Sequence, residues 1–126
     1  MAKMSQEVMD LFKDPQALKV LATVDAAGIP NVAPKGSLTA LDEETIAFAD
    51  VSGGKTRSNL EATKKVAVAV VKSPAAHQIK GTFQEFQTSG PVFDNFTNRM
   101  KSMEMTPTAV AIIKVEEVYS LAPGKK

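Results

Sequence analysis

Apolar and polar residues follow two rhythms along this chain. In "SQEVMDLFK", Val8, Met9, Leu11 and Phe12 recur at helical spacing behind Ser5, which predicts a capped helix interrupted by Pro15. Residues 17–25, "ALKVLATVD", are short, apolar and partly β-branched, as a buried strand requires. Gly28 in "AAGIP" supplies the turn after it. Residues 31–41, "NVAPKGSLTAL", read as one second strand, paired with the first as a hairpin. Pro34 cannot donate to a ladder, so that strand is bulged or at an edge there. "DEE" turns the chain into a third strand, 45–51.

Past a glycine-rich turn, "KTRSNLEATKK" favours a short helix beginning near Thr56. Residues 66–72, "VAVAVVK", are nearly all apolar and predict a strand covered on both faces. "SPAAH" reads as a loop with His77 exposed. "QIKGTFQEFQ" alternates as a half-buried strand with Gly81 as a bulge. "PVFDNFTNRM" starts on proline and carries Phe93, Phe96 and Met100 at helical spacing. Residues 108–121 form a last long strand, and "APGKK" is a frayed tail. Six strands on mostly short links, with two to three short helices, predict one mainly β domain over residues 1–126. A small antiparallel barrel suits this order better than a doubly wound sheet.

Composition narrows the chemistry. The 126 residues carry 15 basic and 14 acidic side chains, a formal charge of +1. Such a balance gives no overall field for nucleic acid or an acidic membrane, so any anion site must be local. The chain has no cysteine and one histidine, His77, which excludes disulfides, thiolate nucleophiles and zinc–thiolate or histidine clusters. No apolar run approaches the ~18 residues of a membrane span. The first residues lack a signal-peptide core. The expectation is a soluble, cytoplasmic protein without nucleic-acid or membrane partners.

The junction "DVSGGKTRSN" carries the parts of an anion site. Gly53 and Gly54 let backbone amides converge, a following helix offers free N–H groups, Lys55 adds a charge and Thr56 a hydroxyl. Arg57 can add a fork to the same anion. It is not a Walker loop, whose glycine spacing and parallel context are missing. Taken alone, the stretch is better explained as a plain Gly-Gly turn with a capping threonine and solvated cations. In "APKGS", mid-strand Lys35 is either edge protection or, with Pro34 and Gly36, a place where backbone faces a flat ligand. No Ser/His/Asp arrangement exists, so any redox or transfer chemistry falls to a cofactor.

The ordered set across residues 21–71 is "LATVD", a glycine turn, "PNVAP", "LD", Lys55-Thr56, Asn59-Leu60 and "KKVAVAVV". It resembles the pyridoxamine 5′-phosphate oxidase-like FMN-binding split barrels, above all their small single-domain members. The resemblance implies a six-stranded, Greek-key split barrel that binds FMN. Lys55 and Thr56 would hold the phosphate, and Asn59 would brace that turn or reach the ribityl chain. Ala33, Pro34 and Lys35 would line the ring edge, with Ala49, Asp50 and Val51 along the ribityl chain. It also implies a homodimer with FMN at the interface. Phe83, Phe93, Phe96 and Met100 are expected there, being more large apolar side chains than one barrel hides. The implied function is an FMN-dependent oxidoreductase or electron carrier, exchanging hydride or electrons with a small molecule or redox protein. The alternatives are a flavin-binding or sensing module without catalysis, or a barrel for haem or a deazaflavin. Two features depart from the family: Asn59 stands four residues after Lys55, and "LEATKK" lacks arginine. The arginine and histidine of the longer oxidases' C-terminal segment have no counterpart in "YSLAPGKK", so oxidation of pyridoxamine phosphate itself is not expected.

Overall fold

A computed structural model describes residues 2–121, so the tail expected at 122–126 lies outside the described residues. The first helix, α1 (Gln6–Lys13), starts where Ser5 accepts a hydrogen bond from the Val8 amide at 3.3 Å, and it buries Val8 and Phe12. Next come β1 (Leu18–Val24), β2 (Pro30–Pro34), β3 (Thr39–Asp42) and β4 (Thr45–Asp50). Helix α2 (Gly54–Thr63), β5 (Lys65–Lys72), β6 (Ala75–Gln87), α3 (Pro91–Met100), a 3₁₀ turn (Lys101–Met103) and β7 (Ala109–Ser120) complete the order. No helix among the described residues is long and apolar enough to cross a membrane.

All strands join one antiparallel sheet in the order β2-β1-β5-β6-β7-β4-β3. It has seven strands, not the six expected, because the run 31–41 is two strands. Pro34 has no N–H to continue the ladder. The Lys35 amide makes a last bond to Lys19 O (3.0 Å), the Leu38 amide closes a turn on Lys35 O (3.1 Å), and β3 pairs with β4 instead of β1. Lys35 therefore sits in a turn and not mid-strand. The two edge strands of the sheet are thus joined by four residues, 35–38. Such a link reaches roughly 15–20 Å at full stretch. The sheet must curl until its edges approach, yet no ladder joins them. The result is open, and consistent with a split barrel.

The main core fills the inside of this curl, with Leu21, Phe48, Val68, Ile79 and Ile113 sealed by Phe12 of α1 and Leu60 of α2. Helix α3 lays Phe96 and Met100 on the other face of β4 and β7, against Ala47, Ala49 and Val110. Both faces of β4 are therefore buried. For β5 the chain itself covers one face of the two expected. Val66, Val68 and Val70 are buried, while Ala67, Ala69 and Val71 are half-exposed, because α2 packs Leu60 on the core side and leaves the outer face bare. The surplus of aromatics expected at a subunit interface is also corrected: Phe83, Phe96 and Met100 fill the core of a single chain, and Phe93, half-buried, packs against the Phe96 cluster. His77 lies within β6, opposite Val70 and Ser120, and is half-buried with Nε2 3.8 Å from Glu7 Oε2, because ladder pairing to β5 begins at Ala75.

Gly81 marks a register shift between β6 and β7, as its place in the alternation predicts. A Cβ there would lie 2.6 Å from the Lys114 carbonyl oxygen and 2.8 Å from Ile113 Cγ2. Backbone cannot yield as a side-chain tip does. Gly81→Ala is expected to cost about 1–3 kcal/mol, as overpacking does, seen as a lower urea midpoint. An unchanged midpoint would show that the bulge gives way freely.

Candidate functional site

The junction of β4 and α2 is organised by a buried carboxylate. Asp50 is 2% exposed. Its Oδ1 accepts from the Gly53 amide at 2.9 Å and its Oδ2 from Arg57 Nη1 at 3.0 Å. Its backbone carbonyl accepts from both the amide (2.8 Å) and the hydroxyl (3.0 Å) of Thr108, which anchors the strand end to the segment before β7. With its end fixed, the chain turns through Gly53 and Gly54, both at positive φ (72° and 71°), where glycine is the least strained choice.

Helix α2 then begins two residues earlier than its composition suggests, with Gly53 as N-cap. No side chain caps it, and its first turn holds no acidic residue. The amides of Gly54, Lys55 and Thr56 have no intrahelical acceptor and stand at the positive end of the dipole. Lys55 is exposed beside them. Thr56 is 6% exposed, and its hydroxyl makes no hydrogen bond among the described residues. Lys55 and Arg57 sit in the turn where cations are least favourable.

The remaining sequence candidates are placed as follows. Arg57 is held on the Asp50 carboxylate, with its guanidinium 4.3 Å over the Phe86 ring, so it is not a free fork for a ligand. Asn59 is buried, and its Nδ2 donates to Thr23 Oγ1 at 3.1 Å. With the Thr63 hydroxyl donating to Val24 O at 2.8 Å, it pins α2 to β1. Ala49 donates its amide to Ser37 Oγ at 2.9 Å, which ties the 35–38 turn to the end of β4, and Lys35 Nζ lies 5.4 Å over the Phe48 ring. The structure thus gathers Lys35, Ala49, Asp50, Lys55, Thr56 and Asn59 around the β4–α2 junction. Val51 is exposed at its rim. Ala33, paired with Leu21, lies on the face of β2 toward α2, whereas Pro34, paired with Val20 and exposed, lies on the opposite face, so its side chain is not brought to the junction. Ser37, Thr23 and Thr108 were missed; only Thr23, a polar residue on the core face of an apolar strand, gave a sequence signal. Among the described residues no cluster of His, Asp and Glu could hold a metal.

Residues 4–122 match the family model described as pyridoxamine 5′-phosphate oxidase. Group A Streptococcus HupZ is 33% identical, with 98% of each chain covered and a TM-score of 0.85. A candidate pyridoxamine 5′-phosphate oxidase of Lactobacillus delbrueckii is 32% identical over 93% of each chain, with a TM-score of 0.75. An FMN-binding protein of Syntrophomonas wolfei shares the fold at 19% identity, covering 90% of this chain and 83% of that one, TM-score 0.82. An F420 reductase and HutZ, the heme storage protein of Vibrio cholerae, share it at 16% and 14% identity, with TM-scores of 0.68 and 0.69.

Asp50→Ala removes the acceptor of the Gly53 amide and the counter-charge of Arg57. Loss of a buried polar partner costs about 1–3 kcal/mol. The variant is expected to unfold at correspondingly lower urea; a wild-type midpoint would mean that the junction holds without its carboxylate.

Proposed function

The chain belongs to the pyridoxamine 5′-phosphate oxidase family, and from that premise we propose that it is an FMN-binding flavoprotein, an oxidoreductase or electron carrier. One observation carries this reading: Asp50 satisfies only the Gly53 amide and Arg57, and the rest of the start of α2, its free amides and Lys55, has no anion beside it. A helix N-terminus ordinarily has a capping side chain or an acid in its first turn. Here both are missing, Lys55 and Arg57 stand in their place, and the Thr56 hydroxyl is without a partner among the described residues. The Gly54, Lys55 and Thr56 amides, the Thr56 hydroxyl and Lys55 Nζ are the groups that would hold a phosphate there. Lys35, Ala33 and the backbone of Pro34 would then lie along the ring, and Ala49, Asp50 and Val51 along the ribityl chain. Asn59 braces the helix that presents the phosphate site. FMN, when bound, supplies hydride and electron transfer. The protein's own groups grip the phosphate, and Asp50 holds the turn that aims the amides.

The dimer reading gains support from a face the sequence did not single out. The ladder registers place Leu18, Val20 and Ala22 of β1 beside Val32 of β2 and Ala69 and Val71 of β5, all on the outer side of the sheet. Val32 is 65% exposed and Leu18 56%. A contiguous apolar patch of this kind marks an interaction surface, and a second copy of the chain is its proposed cover. Sedimentation at micromolar concentration is expected to give a dimer, and Val32→Glu a monomer. A monomeric wild type that retains its flavin would remove this interface.

Absorbance and mass of the ligand released on denaturation test the cofactor. FMN is expected; haem or a deazaflavin in its place would overturn the reading, and both have fold-sharing relatives. Titration of the flavin-free protein tests the phosphate grip. Lys55→Ala is expected to weaken FMN by roughly ten- to hundred-fold, as for a charge-assisted bond of about 1.5–3 kcal/mol, while the urea midpoint stays put. Riboflavin is expected to bind at least about tenfold more weakly than FMN, the equivalent of ~1.4 kcal/mol. Equal affinities would return Gly53, Gly54 and Lys55 to being a plain turn.

A further inference from the structure

Arg57 stands where helix energetics disfavour it. It lies in the first turn of α2, near the positive end of the dipole. Yet its side chain is held from several directions. Nη1 donates to Asp50 Oδ2 at 3.0 Å, and the guanidinium lies 4.3 Å over the Phe86 ring. Its stem runs past Gly53, where an added Cβ would sit 3.8 Å from Arg57 Cδ. Phe86 is itself anchored. It pairs with the buried Ala111 of β7, and its ring centroid lies 4.6 Å from that of Phe83. An arginine engaged on both its edge and its face is no ligand-binding fork, so its use lies elsewhere.

That use follows from Asp50. This buried carboxylate sits at the N-terminus of α2, bonded to the Gly53 amide. An acid at such a place is the very charge that a helix N-terminus favours. Left uncompensated, it would satisfy the dipole from within the chain. It would also repel any phosphate brought to the neighbouring amides. Arg57 cancels that charge, and among the described residues no other cation lies within ion-pair distance of Asp50. With the pair neutral, Lys55 and the dipole give the junction its positive sign. Without Arg57, the Asp50 charge offsets Lys55.

We propose that Arg57 sets the preference of this position for a phosphorylated over an unphosphorylated ligand, without touching the phosphate, by masking the charge of Asp50. The inference rests on the flavin reading and goes beyond it: the choice between FMN and riboflavin is assigned in part to an ion pair outside the phosphate's contacts. An ordinary structural pair is weakened by loss of either partner. A masking pair responds in opposite directions to loss of its two members.

Titration of the flavin-free protein with FMN and with riboflavin, by fluorescence quenching at fixed low ionic strength, reads this as the ratio of the two affinities. Damage to ring or ribityl contacts affects both flavins and cancels in the ratio. Arg57→Gln is expected to lower the preference for FMN by about tenfold, the scale of one unit charge acting across a partly screened site. Asp50→Asn keeps an oxygen for the Gly53 amide and is expected to raise the preference. The double variant Asp50→Asn with Arg57→Gln carries neither charge and is expected to return close to the wild-type ratio. Should Arg57→Gln not fold, because it leaves a buried carboxylate unpaired, the rise in Asp50→Asn and its reversal in the double variant decide the question. A wild type that binds the two flavins alike overturns the flavin reading and this inference with it. A wild type that prefers FMN, with an unchanged or lowered ratio in Asp50→Asn or an unchanged ratio in Arg57→Gln, overturns this inference alone and leaves the pair a structural brace.

Discussion

Pro34 offers no amide to a neighbour, and the architecture follows from where the ladder stops. After a link of four residues the chain is on the opposite edge of the sheet. So short a link forces the sheet to curl, and the curl creates the enclosed side on which Phe48, Val68 and Ile113 are buried. Leu38, fully buried, fills the corner of that link. Ser37 fastens it to β4 through the Ala49 amide. The two edges are drawn toward each other but do not pair. A cleft lined by Lys13, Lys19 and Arg99 lies beside this seam, between β3 and the helices that flank it.

Much of this was legible in the sequence wherever the cause is local. Ser5 caps α1 within one turn, Pro91 opens α3, and Gly81 interrupts an otherwise regular alternation. Other features depend on which distant segment arrives next, and pattern cannot convey that. The run 31–41 is evenly apolar, so nothing within it says that β3 prefers β4 to β1. Ala67, Ala69 and Val71 look as buried as their neighbours, since a small apolar residue does not record whether a helix covers it. At the site, the glycines and Lys55 raised the anion reading. The Asp50–Arg57 pair did not, because the stacking partner of Arg57, Phe86, comes from a strand two elements further on.

The chain's near-zero net charge conceals two uneven distributions. At α2 a buried carboxylate absorbs one of two cations, leaving Lys55 and the helix amides to face outward. That arrangement favours a ligand of limited charge held largely by directional hydrogen bonds. In the cleft three cations share a space without an acid, and the field there is less directional. This chain thus presents positive potential in two chemically different forms on one small domain. Lys35 and Gly36, adjacent in sequence, belong to one form each.

The bare start of α2 has a consequence for motion. This helix has ten residues, lacks a cap, carries cations against its own dipole, and is moored to β1 chiefly by Asn59 and Thr63. A segment of that length is marginal by itself. Its first turn therefore opens more readily than the strands beneath it, on the timescale that amide hydrogen exchange reports. Filling the anion position removes the conflict at the point where opening begins. On the proposed reading, order in α2 and occupancy of that position are one equilibrium: an anion bound there would slow exchange along the helix, and whatever loosens Asn59 or Thr63 from β1 would weaken a ligand it never touches.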